Sequence, residues 1–177
     1  MTVDLVAIRE SAQALREENL AFCRYARDHH HPIEEFQQIA AGVQREIDCT
    51  QCANCCRRTV VSVQPDEIEA IARYLGIDAD LAMHQYTRAD PEDSRARVLA
   101  NERDGCVFLD ENLCMIYDVR PKPCRDFPHV GLHCHSLGAR LSSLYRHMEI
   151  CPIVYHTFER YKQRLGYHRA TTITPVP

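Results

Sequence analysis

The sequence lacks tryptophan, has few glycines and contains no long hydrophobic run. A membrane-spanning helix needs about 18–20 consecutive apolar residues, and because no stretch approaches that length we expect no membrane contact. Only 6 of the 177 residues are glycine, and Gly131, Gly138 and Gly166 are isolated, so no glycine-rich loop can cradle nucleotide phosphates. G-x-S-x-G, H-E-x-x-H and Walker motifs are absent as well. The sequence therefore gives no motif-based reason to expect an enzyme.

The charge balance and the first residues bear on partners and compartment. The formal net charge is −4 and the pI is about 6.2; without a basic run, this balance is atypical of a nucleic-acid-binding protein. The chain does not begin with a basic region followed by an apolar one, so we expect no signal peptide and a cytoplasmic location. Clustered cysteines in that reducing compartment bind metals more often than they form disulfides. A disulfide scaffold is the alternative interpretation.

What the sequence does have is ten cysteines, four of them in the segment Cys-Thr-Gln-Cys-Ala-Asn-Cys-Cys from Cys49 to Cys56. A core uses a buried cysteine as a small hydrophobe, as we expect for Cys23, but it has no use for four in so short a segment. Two overlapping C-x-x-C units followed by an adjacent cysteine place several sulfurs within reach of a soft metal. Because adjacent side chains are expected to diverge, Cys55 and Cys56 favour two nearby sites or one polynuclear cluster.

Further cysteines lie downstream, at Cys106, Cys114, Cys124, Cys134 and Cys151. The first three stand at predicted strand ends or in a proline-rich turn, where a side chain can be aimed inward. A metal held by these thiols would cross-link the chain over a span of about a hundred residues. Thiolate ligands carry negative charge and need cations or N–H donors nearby. The cations that flank them, which either supply that charge or are ordinary surface residues, are Arg57, Arg58, Arg120, Lys122 and Arg125.

Hydrophobic periodicity predicts helices at both ends of the chain. The N-terminal part is predicted to hold helices over 3–28 and 33–47, joined by the histidines 29–31, which are interpreted as a solvated connector. We expect these two helices to form an antiparallel hairpin, giving an N-terminal unit 1–48. The C-terminal part is predicted to hold helices over 137–148 and 153–165, followed by a frayed tail over 171–177.

The middle of the chain is predicted to mix short strands with one secure helix. In order, we expect a strand over 57–63, a helix over 65–75 ended by Gly76, a surface insertion with two short helices over 78–104, a β-hairpin joining 106–109 to 114–117, and a loop over 120–128 whose prolines exclude a helix. The predicted fold class is α+β and mostly helical, with helices around a short β-hairpin and a cysteine-rich metal-binding centre. We expect 49–170 to be a cysteine-cluster domain that forms one compact unit with the N-terminal helices.

The cysteines belong to linked motifs whose order is informative. The motifs are Cys49-x2-Cys52-x2-Cys55-Cys56, Cys106-x-Phe-Leu, Cys114-x-Ile-Tyr, Arg120-Pro-x-x-Cys124-Arg-x-Phe and a later Cys151. This set resembles the YkgJ-type cysteine-cluster family, also described as the CxxCxxCC or zinc- or iron-chelating domain. The resemblance implies eight metal ligands, namely Cys49, Cys52, Cys55, Cys56, Cys106, Cys114, Cys124 and Cys151. Cys134 lies outside the pattern, and it stays open whether His133 or His135 adds a ligand. Ala53 stands where the family usually has glycine, which narrows the conformations open to the loop.

The resemblance leaves zinc and an iron–sulfur cluster as alternatives, and all-thiolate ligands suit both. The first hypothesis is a metal-binding module with a structural or metal-handling role. The second is an iron–sulfur redox protein or accessory enzyme, because a similar motif occurs in flagellin lysine N-methylases, where an iron–sulfur cluster is implied. The third is an adaptor whose helices dock a protein partner while the metal holds its shape.

Overall fold

The computed structural model describes residues 3–131 and 136–167, and these group into two compact units. The described residues of Met1–Ile47 and Pro128–Pro177 form what we call the helical unit, and Asp48–Phe127 forms the cysteine unit. The predicted mostly helical α+β class is confirmed. The division into 1–48 and 49–170 stays a prediction, and the tail 171–177 lies outside the described residues.

The elements follow one another in chain order. They are α1 (Leu5–Ala14), α2 (Arg16–Asp28), α3 (Ile33–Glu46), α4 (Asn54–Arg58), β1 (Ser62–Val63), α5 (Pro65–Leu75), α6 (Ala79–Tyr86), β2 (Thr87–Ala89), β3 (Arg97–Leu99), β4 (Asn101–Glu102), β5 (Gly105–Cys106), β6 (Leu109–Asp110), β7 (Leu113–Cys114), α7 (Lys122–Asp126), α8 (Leu137–Leu144) and α9 (Pro152–Arg164). Short 3-10 turns cover Cys49–Gln51, Tyr117–Val119 and Tyr145–His147. None of the helices in these described ranges is long and apolar enough to cross a bilayer.

The helical unit is built by pairing N-terminal helices with C-terminal ones. The predicted helix 3–28 is two helices, because the backbone leaves helical geometry at Leu15 (φ −91°, ψ 9°). Helix α2 packs chiefly on α8, and α3 packs chiefly on α9. Each apolar stripe of the N-terminal helices is therefore covered mainly by a helix from the other end of the sequence.

Aromatic rings fill the centre of the helical unit. Phe22 and Phe36 both make edge-to-face contacts with Phe158, at centroid distances of 6.4 and 6.2 Å, and with Tyr161, at 6.0 and 5.5 Å. All four side chains are fully buried. Edge-to-face pairs add about 0.5–1.5 kcal/mol beyond the area they bury, so this cluster is a main source of stability. Cys23 lies beside it with 4% of its surface exposed, which confirms its predicted role as a buried thiol.

One charged group lies in this apolar interior. Lys162 is 2% exposed, and its Nζ lies 2.7 Å from Glu18 Oε1 and 2.7 Å from Glu159 Oε1. The same Nζ donates to Asn19 Oδ1 at 2.9 Å, and Asn19 itself is completely buried. Burying an ammonium group is costly unless it is paired. The two carboxylates and the amide oxygen supply that pairing, and they join α2 to α9.

The cysteine unit has a smaller core, placed between α5 and very short strands. Helix α5 is confirmed as predicted: Pro65 starts it, Gln64 and Glu67 form a capping box, and Gly76 ends it at φ 69°. The sheet order is β1-β3-β2, and all its pairs are antiparallel; β4 pairs with β5, and β6 pairs with β7. Of the hairpin predicted between 106–109 and 114–117, only Leu109 and Cys114 pair with one another. The observed strands are Leu109–Asp110 and Leu113–Cys114, and Cys106 pairs instead with Asn101.

Two predicted elements of the cysteine unit are wrong. Within 78–104 only α6 is helical, because Thr87–Ala89, Arg97–Leu99 and Asn101–Glu102 form strands, and Val98, Leu99 and Ala100 are buried. That part is not a surface insertion, since long-range pairing overrides the local polar pattern. In the predicted strand 57–63 only Ser62–Val63 forms a strand, because the first residues of that stretch complete α4.

The proline-rich loop predicted over 120–128 is also corrected. It contains the short helix α7, with Pro121 as its N-cap and Pro123 in its first turn. The first N–H groups of a helix have no partner inside the helix, so a proline there loses no hydrogen bond. These prolines therefore position the start of a helix that carries Cys124.

Candidate metal centre

The segment from Cys49 to Cys56 folds as two short turns joined by a strained residue. Asp48 accepts hydrogen bonds from the backbone N–H and the hydroxyl of Thr50, at 2.9 and 2.7 Å, and starts the 3-10 turn. Ala53 then adopts a left-handed conformation with φ 46°. A left-handed backbone costs a non-glycine residue about 1–2 kcal/mol. This left-handed residue is the N-cap of α4, the helix that carries Cys55 and Cys56.

The adjacent thiols of Cys55 and Cys56 do not diverge as predicted. Their Sγ atoms lie 3.9 Å apart. Zinc–sulfur bonds of about 2.3 Å at a tetrahedral angle place two ligand sulfurs ~3.8 Å apart. The observed separation is therefore compatible with one shared ion, and the two sulfurs do not diverge as expected.

Cys106 and Cys114 are presented in the same way by two separate turns. The backbone N–H of Phe108 interacts with the Cys106 thiol, and that of Ile116 interacts with the Cys114 thiol. Phe108 and Ile116 are each 1% exposed. Each C-x-apolar motif thus anchors a buried side chain in the core and turns its amide toward the sulfur. N–H donors of this kind stabilise thiolate ligands.

Burial and mutual repulsion hold several of these thiols in the protonated form when no metal is bound. Burial, together with the charges of Cys106, Cys56 and Cys114, raises the pKa of Cys124 to about 12. Burial likewise raises the pKa of Cys106 to about 11, against the effect of the Phe108 amide. Thiols from separate turns are therefore close enough to act on one another electrostatically.

Cys56 behaves differently from those thiols. The hydrogen bond from Cys55, together with the positive charges of Arg57 and Arg120, lowers the pKa of Cys56 to about 7, although burial opposes the change. Cys56 also acts electrostatically on Cys49. The pKa of Cys56 therefore lies below the ordinary thiol value, whereas the pKa values of Cys49, Cys106, Cys114 and Cys124 lie above it.

Of the flanking cations, Arg57 and Arg120 act on the thiols. Arg120 favours the thiolate form of Cys56 and also acts on Cys49, Cys114 and Cys124. Its guanidinium carbon lies 3.5 Å from the centroid of the Tyr117 ring. Lys122 instead pairs with Asp126, and Arg125 donates to the carbonyl oxygen of Arg120. Arg58 is exposed.

The structure gathers most of the predicted ligands into one unit. The predicted ligands in the cysteine unit are Cys49, Cys52, Cys55, Cys56, Cys106, Cys114 and Cys124. Cys151 belongs to the helical unit, where it is 5% exposed and immediately precedes α9. His133, Cys134 and His135 lie outside the described residues.

The thiols are neighbours without converging on a single point. Over 3–131 and 136–167, no three histidine, cysteine or acidic side chains are arranged as a preformed site for one ion. The cysteines of these two ranges form no disulfide with one another. The donor set is chemically suited to a soft metal, and binding would have to draw the thiol-bearing turns closer together.

Sequence reasoning missed Gly105, on which the approach of two thiol-bearing segments depends. Its φ is 126°, and a Cβ atom there would lie 2.7 Å from the carbonyl oxygen of Cys56 and 2.8 Å from Arg57 Cα. Only glycine allows β5 to pass so close to α4. The Asp104-Gly105 dipeptide, which is typical of tight hairpin turns, was the available signal.

Comparison with known proteins gives one match. No curated protein matches this chain, and no solved structure matches it. A family model described as "Putative zinc- or iron-chelating domain" matches residues 48–152, which takes in the whole cysteine unit and the start of α9. Because that match covers more than half of the sequence and includes the cysteine motifs, this chain belongs to the CxxCxxCC family.

Proposed function

We propose that this protein binds zinc or an iron–sulfur cluster through the thiols of its cysteine unit, with a structural or metal-handling role. The proposed ligands are Cys49, Cys52, Cys55, Cys56, Cys106, Cys114 and Cys124, with Cys151 as an eighth. The observation that carries the proposal is that seven cysteines lie in the cysteine unit and that the Sγ atoms of Cys55 and Cys56 are 3.9 Å apart, a separation that suits two ligands of one ion. The effect of Cys56, Cys106 and Cys114 on the pKa of Cys124 agrees with it. A metal replaces the protons on such thiols and removes their repulsion.

The ligand set favours a structural role over catalysis. A zinc ion held by four thiolates keeps no open position for a substrate, whereas catalytic zinc sites retain one. The cysteine unit also has strands of only two or three residues. A metal that joins the turns of this unit would supply cross-links, which pairs of such short strands do not provide.

An iron–sulfur centre is the second candidate, and the number of thiols favours it. Seven cysteines lie in the cysteine unit, which is more than the four ligands of one structural zinc ion. They would serve either two ions or one polynuclear cluster. With a cluster bound, the protein would be a redox protein or an accessory enzyme, for example one related to lysine N-methylation of protein substrates.

Metal analysis tests the proposal and separates its two forms. Protein purified without oxygen should contain metal by elemental analysis. Visible absorption with iron and sulfide would identify a cluster, and a colourless protein with zinc would identify the structural form. Protein that is expressed in medium supplemented with iron and zinc, purified without oxygen and found to be metal-free would contradict both the zinc form and the cluster form.

Cysteine variants test the ligands. Cys52→Ser and Cys124→Ser should each lower the metal content, because each removes a thiol of the cysteine unit. Cys23→Ser is the matched control, since Cys23 is buried in the helical unit, and its metal content should equal that of the wild type. Cys151→Ser tests the eighth ligand in the same assay. Wild-type metal content in Cys52→Ser or Cys124→Ser would contradict the ligand set.

We also propose a cytoplasmic location, since reduced thiols are needed to bind the metal. A protein partner fits the adaptor hypothesis, and we propose no nucleic-acid partner because the charge balance is acidic.

A further inference from the structure

Arg57 connects two thiol-bearing turns of the cysteine unit. Its Nη1 donates to the carbonyl oxygen of Cys52 at 3.3 Å. Its Nη2 donates to the carbonyl oxygen of Glu111 at 2.5 Å and to Asn112 Oδ1 at 2.9 Å. Cys52 lies in the cysteine-rich segment, whereas Glu111 and Asn112 form the hairpin turn that leads into Cys114. One half-buried guanidinium therefore bridges two turns that are more than fifty residues apart in sequence.

The turn that Arg57 holds is conformationally strained. Glu111 has φ 50°, a left-handed conformation that non-glycine residues seldom adopt. Strained backbone of this kind persists where the surroundings hold it in place. The two hydrogen bonds from Nη2 fall on the strained residue and its neighbour, so they hold the turn where its conformation is least favourable.

The backbone of a third thiol-bearing segment, the one that carries Cys106, passes close to Arg57. Gly105, next to Cys106, lies so close that a Cβ on it would be 2.8 Å from Arg57 Cα and 3.2 Å from Arg57 Cγ. Arg57 is therefore located where the segments of Cys52, Cys106 and Cys114 meet. The neighbouring Arg58 is exposed and does not share this position.

We propose that Arg57 is a positioning residue that sets the separation between the cysteine-rich segment and the Cys114 hairpin, and so the fit of the metal. The proposal rests on the proposed function, because it assigns Arg57 a role toward the same metal. The planar guanidinium donates in several fixed directions at once, whereas a lysine ammonium keeps the charge but lacks that fork. Arg57→Lys therefore separates the bridging role from a role of charge alone.

Metal transfer to a chelator is the main test, with the full-length protein loaded with zinc(II). Loss of a residue that orients metal ligands costs about 10- to 100-fold in metal affinity. We expect Arg57→Lys to release zinc(II) faster by a factor in that range, and Arg58→Ala, which removes the adjacent cation, to release it at the wild-type rate. A wild-type rate for Arg57→Lys would overturn the proposal.

A second variant and a spectrum guard against a general loss of folding. Asn112→Ala removes only one acceptor and should speed zinc(II) release less than Arg57→Lys does. Cobalt(II)-loaded protein reports the geometry of thiolate ligands in its visible spectrum. We expect a changed spectrum for Arg57→Lys and a wild-type spectrum for Arg58→Ala; unchanged spectra for both would overturn the proposal.

The wild type distinguishes failure of this proposal from failure of the proposed function. If wild-type protein binds neither zinc(II) nor cobalt(II), the zinc form of the proposed function is wrong. Amide hydrogen exchange over 111–114 then decides the bridge by itself. Faster exchange in Arg57→Lys than in Arg58→Ala would support the bridge, and equal exchange would overturn it.

Discussion

The helical unit and the cysteine unit bury very different amounts of large apolar side chain. Among the described residues, the largest fully buried side chains of the helical unit are Tyr161, Phe22, Phe36, Phe158, Ile8, Leu141, Leu144, Met148 and Ile153, and those of the cysteine unit are Phe108, Ile71 and Ile116. Fully burying such a side chain contributes about 1.5–3 kcal/mol. The comparison indicates that apolar packing stabilises the first unit, whereas the second needs an additional cross-link.

Metal removal gives the largest expected contrast between the units. A structural thiolate zinc site contributes about 10–16 kcal/mol in small peptides, against a total stability of ~5–15 kcal/mol for ordinary domains. We expect a chelator to abolish amide protection in the cysteine unit and to preserve it in the helical unit. Hydrogen exchange followed by mass spectrometry measures both.

Thiol labelling provides the control for that experiment. Cys23 is buried, and burial raises its pKa to about 11, so it should resist alkylation while the helical unit stays folded. After chelation at neutral pH, Cys124 should be alkylated and Cys23 should stay protected. If both thiols became open to alkylation together, the two units would not differ in their dependence on metal. If both thiols stayed protected, the result would contradict a structural metal.

Lys162→Met tests the stability of the helical unit alone. It removes the ammonium that lies 2.7 Å from each of two carboxylates and leaves them facing one another. Breaking a buried ion pair costs about 3–5 kcal/mol, so the chemical-denaturation midpoint of the helical unit should fall while metal content stays at the wild-type value. The control is Arg164→Met, whose ion pair with Glu35 is largely exposed and is worth about 0–1 kcal/mol. Equal effects from the two variants would contradict this account of the buried pair.

Two glycine-to-alanine variants, one in each unit, compare the two units by the same substitution. A Cβ on Gly138 would lie 2.5 Å from Arg27 Cα in the helical unit, and a Cβ on Gly105 would lie 2.7 Å from the Cys56 carbonyl oxygen in the cysteine unit. Overpacking costs about 1–3 kcal/mol, so both alanine variants should melt at a lower temperature. Only Gly105→Ala should also lose metal.

The control for these variants is Gly42→Ala. Gly42 lies inside α3, and a Cβ on it would meet no atom of a neighbouring element within 4 Å, so alanine should stabilise the helix by about 0.5–1 kcal/mol. Metal loss from Gly138→Ala equal to that from Gly105→Ala would remove the distinction between the units.

Ala53→Gly has the smallest expected effect. Glycine relieves a left-handed conformation that costs alanine about 1–2 kcal/mol, but it also loses about 0.5–1 kcal/mol through greater backbone freedom in the unfolded chain. The net gain in stability should therefore be about 0–1.5 kcal/mol, and confined to the cysteine unit. Thermal unfolding with and without zinc(II) measures it, and a lower melting temperature would contradict the strain assigned to Ala53.

Local sequence signals predicted the elements whose cause is local. Helix α5 followed from Pro65, its apolar stripe and Gly76, all within one stretch of chain. The strands of 87–102 did not, because they form only when β3 pairs with β1 and β2. Helix α7 was missed because prolines indicate a helix break unless they fall in the first turn, and here they do.

For the candidate site, the sequence indicated the chemistry of the donor atoms, and the structure showed where the surrounding residues lie. The cysteine motifs named the family and the soft donor set before any fold was known. The sequence could not choose among five flanking cations, and the structure places Arg57 and Arg120 at the thiols. It could not show that the Sγ atoms of Cys55 and Cys56 lie 3.9 Å apart either, because that separation depends on the side-chain conformations on the short helix that follows Ala53.

The sequence alone determined the soft thiol donor set and the helical character of both ends, since donor chemistry belongs to each side chain and helical periodicity is read within a few turns. Only the tertiary structure decided which turns meet at Arg57, that Lys162 is buried beside two carboxylates, and that Cys151 belongs to a different unit from the other proposed ligands. The physical reason is that these contacts join residues far apart in the chain, and their geometry depends on how the whole unit packs.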